Sequence, residues 1–115
     1  MNDCIFCKIV SGEIPVKKIY ENENFFSILD KNQNIKGHAL IISKKHFDTI
    51  LDMPDSLGYE FLDCIKKTAL KLIDKTKAEG FNVVNNNFES AGQIVKHVHF
   101  HILPRKKGDS VKVIG

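Results

Sequence analysis

Residues 97–105 read "HVHFHILPR", and the strict alternation of histidine with valine, phenylalanine and isoleucine suits one regular conformation. In a β-strand successive side chains leave opposite faces, so His97, His99 and His101 share one side and Val98, Phe100 and Ile102 the other. A helix would scatter both sets around its axis. The chain is therefore expected to hold a strand whose apolar side faces a core and whose other side carries a ridge of imidazoles. Stacked imidazoles repel once protonated, so at least some of the three must stay neutral or hold a ligand. A solvent-facing strand with histidines in accidental register is the bland alternative. A His-x-His metal pair mounted on a strand is a second, which spacing leaves open.

That strand needs neighbours, and four other segments read as strands. Lys18–Glu21 and Phe25–Leu29 are short β-prone pieces separated by the polar "NEN" of a hairpin; His38–Ser43 ("HALIIS") is an apolar run of buried-strand length. "FNVVNN" at 81–86 and "VKHVHFHIL" at 95–103 follow, joined through the polar "NNFESAGQ". Between them Leu57, Phe61, Ile65, Ala69, Leu72 and Ile73 recur at helical spacing, with Pro54 in the first-turn position and Gly80 as the stop. A short helix over Ile5–Val10 should end at "GEIP", residues 12–15. The expected fold is α+β: about five antiparallel strands, one long helix and a short N-terminal helix. With 115 residues, the chain is expected to form one domain over 1–115.

A formal net charge of +3, with the basic residues scattered, favours a polyanion no larger than a nucleotide over an extended nucleic-acid groove. There is no apolar run of about 18 residues for a membrane span, and "MNDCIFCKIVSGEIP" lacks a basic, apolar leader, so a cytoplasmic location is expected. Three cysteines then fit reduced thiols or metal ligands. Cys4 and Cys7 form one C-x2-C, half of a four-ligand set, with two free thiols as the plain alternative. Cys64, on the amphipathic helix, is expected as a small core or boundary residue. Upstream of the ridge, the glycine and backbone amides of "AGQIVK", residues 91–96, suit a phosphate; Arg105 and Lys106 add positive charge downstream. A neutral imidazole beside anion-binding amides suggests attack on phosphorus by His99.

On "HVHFHILPR" together with "CIFCKIVSGEIP", "GHALIISKKH" at 37–46 and "NNNFESAGQ" at 85–93, the chain resembles the histidine triad family of nucleotide hydrolases and transferases. The resemblance implies His99 as nucleophile, His101 as the histidine at the phosphate or leaving group, and His38 in support. It implies Asp30 on the ribose hydroxyls, where a carboxylate accepting from two vicinal hydroxyls is chemically apt. Asn86, within an asparagine run that blurs the register, and Gln93 match polar positions at the phosphate. Ile5, Phe6, Ile9, Ile28 and Leu40 match the apolar pocket for a purine base, and each equally suits a plain core.

Some bacterial members of the resembled family complete a C-x2-C with two histidines, here His46 and His97. The resemblance thus implies a closed Cys2His2 site of Cys4, Cys7, His46 and His97 holding structural zinc, with no metal required in the chemical step. Two departures stand out: Ile94 where many relatives carry serine or threonine, and Ser43 where proline is usual. The implied activity is hydrolysis at the α-phosphate of purine nucleotide conjugates through a nucleotidyl-histidine intermediate, in the manner of the Hint-type phosphoramidase branch. A dinucleoside polyphosphate hydrolase and a nucleotide-binding regulatory module with little turnover are the alternatives. The family further implies a homodimer with its sheet continued across a twofold axis.

Overall fold

The computed structural model describes residues 3–33 and 35–113. Five strands, β1 (Lys18–Glu21), β2 (Phe25–Leu29), β3 (Ala39–Ser43), β4 (Gly80–Val84) and β5 (His99–Arg105), form one antiparallel sheet in the order β1-β2-β3-β5-β4. Helix α1 (Ile5–Val10) lies on one face and helix α2 (Gly58–Thr76) on the other.

The alternation along β5 sets this two-sided plan. Directly opposed residues of an antiparallel pair share a face. Ile41 opposes Phe100 and Ala39 opposes Ile102, while Ile42 opposes His99 and Leu40 opposes His101. The first pairs join Phe25, Val98, Cys64 and Leu72 in the core beneath α2, where the Phe61 and Phe100 rings lie 4.4 Å apart. The second pairs face α1, whose Phe6 and Ile9 pack with Phe26, Ile28, Leu40 and Ile42. The histidine ridge therefore lies on the α1 side, as the alternation requires. A buried Ser27–Thr68 hydroxyl pair, 2.7 Å, ties β2 to α2.

Three boundaries differ from the sequence expectation. The last strand begins at His99 rather than residue 95, because the His97 amide turns back to Val95 O and the Val98 amide donates to Phe47 O outside the ladder. His97 thus stands on the bend before the strand. The long helix starts at Gly58, preceded by 3-10 turns at Ile50–Asp52 and Asp55–Leu57; Pro54 caps the second of these. It stops at Lys77, in the left-handed region at φ 61°, so Gly80 opens β4 instead of ending the helix. Residue 38 precedes β3, and the strand at 81–86 closes at Val84.

Gly37 is required at its turn. It has φ 84°, and a Cβ there would meet Thr76 Cγ2 at 2.8 Å and Pro104 Cγ at 3.2 Å. The turn is thereby seated directly on the end of α2, which fixes His38 beside it.

Candidate active site

His99 is buried, and its Nδ1 lies 2.7 Å from the carbonyl oxygen of His97. A carbonyl only accepts, so Nδ1 carries the hydrogen and Nε2 keeps its lone pair. When uncharged, the ring is thereby held in one tautomer. Phe6 meets it edge-on, with centroids 5.1 Å apart, and Asn85 Nδ2 donates to the His99 carbonyl at 2.9 Å.

Two positions along the strand, His101 Nδ1 lies 2.9 Å from His38 Nε2, which is also 3.6 Å from Asp30 Oδ2. The carboxylate favours the hydrogen on His38 Nε2, which then donates to His101 Nδ1 and leaves a hydrogen on His101 Nε2. Burial first, and the neighbouring His99 and His38 rings after it, push His101 down to about 4. The ridge therefore presents His99 Nε2 beside an N–H on His101.

A cleft of about 950 Å³ opens along these rings. Ile5, Phe6, Ile9, Ile28 and Leu40 line it with His99, His101 and Asp30, and Ile94 and Val95 border the same cleft. The apolar residues expected at the base are thus brought to one wall beside the ridge. His38 stands behind His101. Asn86 sits beside the left-handed Gly92, where a built Cβ would lie 3.9 Å from its Nδ2. Gln93 is already engaged: its Nε2 donates to Asp48 O and Val95 O at 2.6 and 3.1 Å, and its Oε1 accepts from Phe88 N at 2.7 Å. Its side chain ties the 88–95 loop together and has no N–H left for a phosphate. Arg105 also departs from expectation, since Asp109 binds it in a fork and Asn82 and the Val111 carbonyl take two of its other three hydrogens. It staples the C-terminal segment rather than serving an anion.

Cys4, Cys7, His46 and His97 bring one donor atom each within 4.8 Å of one another and are placed to hold a metal ion. Cys4 Sγ lies 3.1 Å from His97 Nδ1, and Cys7 Sγ lies 3.2 Å from His46 Nδ1 and 3.5 Å from His97 Nδ1. Tetrahedral zinc, with bonds of about 2.3 Å to sulfur and about 2.0 Å to nitrogen, sets such edges at roughly 3.5 Å. The donor chemistry fits as well. His97 Nε2–H donates to Ser43 O at 2.8 Å and His46 Nε2–H to Asp48 Oδ1 at 2.9 Å, so both rings turn an Nδ1 lone pair toward the thiols. Burial holds His97 neutral, down to about 4. Asp30, His38 and His101 form a second convergent group, with Asp30 and His101 lining the cleft and His38 behind them.

Asp48 and the Ser43 carbonyl went unnoticed in the sequence. Asp48 had one available signal, a carboxylate two residues from a candidate ligand; the Ser43 carbonyl and the bond from Asn85 to His99 O act through pairings that only the fold creates.

A HIT domain family model matches residues 11–108. The chain belongs to this family. It is 49% identical over 106 residues to an uncharacterized HIT-like protein of Methanocaldococcus jannaschii, covering 92% of this chain and 81% of the relative. It is 40% identical over 112 residues to the adenosine 5′-monophosphoramidase HNT1 of Saccharomyces cerevisiae, covering 97% and 68%. The crystal structure of SMU.412c from Streptococcus mutans superimposes with a TM-score of 0.91 at 44% identity, over 100% of this chain and 73% of that one.

Proposed function

We propose that this chain is a nucleotide hydrolase of the adenosine phosphoramidase kind, acting at the α-phosphate of purine nucleotide conjugates. The single observation that carries the reading is the fixed tautomer of His99, whose Nδ1–H is committed to His97 O at 2.7 Å. His99 Nε2 attacks phosphorus; a P–N bond forms as the bond to the leaving group breaks. His101 Nε2–H hydrogen-bonds to the departing amine or oxygen, which takes its proton from a water molecule; the hydroxide so formed attacks the nucleotidyl-histidine and releases the nucleoside monophosphate and a free His99. Asp30 accepts from the ribose hydroxyls, and Ile5, Phe6, Ile9, Ile28 and Leu40 enclose the base. Asn86 and the main-chain amides near Ile94 face the phosphate, with Gln93 shaping their loop. The relationship to a yeast adenosine 5′-monophosphoramidase supports this chemistry.

Zn²⁺ at Cys4, Cys7, His46 and His97 is structural in this reading: four protein donors leave no position for water. β4 is an edge strand, with Phe81 and Val83 exposed, and pairing it with a second copy would continue the sheet into a homodimer. A cytoplasmic enzyme is in keeping with this; among the described residues no helix is long and apolar enough to cross a membrane. Turnover of an adenosine 5′-phosphoramidate against a diadenosine polyphosphate tests the reading. Higher kcat/KM on the phosphoramidate is expected, and a preference for the polyphosphate would overturn it.

A further inference from the structure

The cleft is larger and more basic than a nucleoside monophosphate requires. About 950 Å³ lies near the top of the usual range for small-ligand clefts, roughly 300–1,000 Å³. Its lining carries Lys17, Lys18, Lys31, Lys71 and Lys75 against a single carboxylate, Asp30. Lys18 pairs with Glu21 at 3.1 Å. The other four make no ion pair among the described residues. They come from three separate places: before β1, directly after Asp30 at the end of β2, and one turn apart near the end of α2. Lys75 complements the carbonyl end of α2, but no helix end accounts for Lys17 or Lys31.

All four share the cleft lining with Asp30. The end of α2 supports Gly37, whose built Cβ would lie 3.9 Å from Leu72, and the adjoining His38 is 3.6 Å from Asp30. Lys31 follows Asp30 in the chain. On the reading above, with the ribose at Asp30 and the α-phosphate at His99, a group reaching the lysines must hang from a ribose hydroxyl oxygen.

We propose that Lys17, Lys31, Lys71 and Lys75 form a second phosphate subsite, and that the chain takes nucleotides bearing a phosphomonoester on the ribose 2′ or 3′ oxygen in addition to the 5′ conjugate. A doubly charged monoester satisfies cations drawn from three segments at once, whereas an unmodified ribose leaves them with water and one another. This proposal rests on the placement of the nucleotide in the preceding section.

The test is calorimetric binding of adenosine 5′-monophosphate, adenosine 3′,5′-bisphosphate and adenosine 2′,5′-bisphosphate at low ionic strength. One bisphosphate should bind about tenfold more tightly than the monophosphate, the effect of a single hydrogen-bonded charge contact. That gain should shrink with added salt and fall toward one in the double variant Lys71→Gln, Lys75→Gln, whose exposed positions do not threaten folding. Equal affinities for all three ligands overturn the subsite while leaving the nucleotide site itself standing. No binding of any of the three overturns both. A dinucleotide with a 3′ phosphodiester gaining more than the monoester assigns the lysines to a polynucleotide end and overturns the proposal as stated.

Discussion

Removal of the proposed metal by Cys7→Ser should weaken nucleotide binding, although Cys7 does not line the cleft, because α1 carries both sets of residues. Its N-cap and first turn hold Cys4 and Cys7, and the same six residues present Ile5, Phe6 and Ile9 to the cleft. Burial of Phe6 and Ile9 contributes about 1.5–3 kcal/mol each. The main-chain bonds Lys8 N to Cys4 O, Ser11 N to Cys7 O, Gly12 N to Ile9 O and Ile14 N to Lys8 O add about 0.5–1.5 kcal/mol each. Ordering each residue costs about 1–2 kcal/mol, of the same order as these gains. The helix is near balance by itself, and a six-residue helix has no stability of its own in water. Metal ligation then decides whether α1 stays docked. Cys7→Ser should lose zinc, lose amide-exchange protection over residues 5–10, and bind adenosine 5′-monophosphate about ten- to hundredfold more weakly, about 1.4–2.8 kcal/mol. Calorimetry and hydrogen exchange on the same sample read both. A variant that has lost zinc yet keeps the wild-type Kd and the protection of α1 refutes the argument.

Three further outcomes follow from single features. His101, held down to about 4 against an ordinary 6.5, stays neutral while the unfolded chain takes up a proton, so stability is whole above about pH 6.5 and drains as pH falls toward 4. Denaturant midpoints for wild type and His101→Asn should converge across that window; parallel curves would show that the ring is not shielded as described. Gly37→Ala should lower stability by about 1–3 kcal/mol through the left-handed backbone and the 2.8 Å approach to Thr76, so an unchanged melting temperature would contradict the seating of that turn. Gln93→Ala should raise the exchange rate of the 88–95 amides and reduce kcat/KM, whereas a loss of activity with loop protection intact would mean that Gln93 touches substrate directly.

Much of this was readable before folding because one regularity dominates. Alternation along 97–102 determines which face each side chain takes, and the opposed runs of β2 and β3 repeat it, so the two cores and the ridge follow. What escaped notice is carried by main-chain atoms and by distant segments. The His97 carbonyl fixes the tautomer of His99, and the Ser43 carbonyl orients His97; neither depends on side-chain identity. A free amide at Gln93 suits a phosphate, but Phe88 N and Val95 O in its own loop and Asp48 O from a distant segment take that capacity first. Arg105 was misread for a similar reason, its partner Asp109 lying four residues on. The helix start moved because Thr49 and Asp52 cap a separate 3-10 turn, leaving Pro54 to begin another. The lysine rim draws on positions 17, 31, 71 and 75, whose convergence only the tertiary structure reveals.

The nucleophilic role of His99 is tested most directly by rapid acid-free quenching of a turnover reaction and intact-mass analysis, followed by mapping of the modified peptide. The wild-type chain should gain one nucleoside monophosphate on His99, and His99→Ala should gain none and lose turnover. A His99→Ala chain that still hydrolyses the conjugate, or an adduct that maps to another residue, contradicts the account.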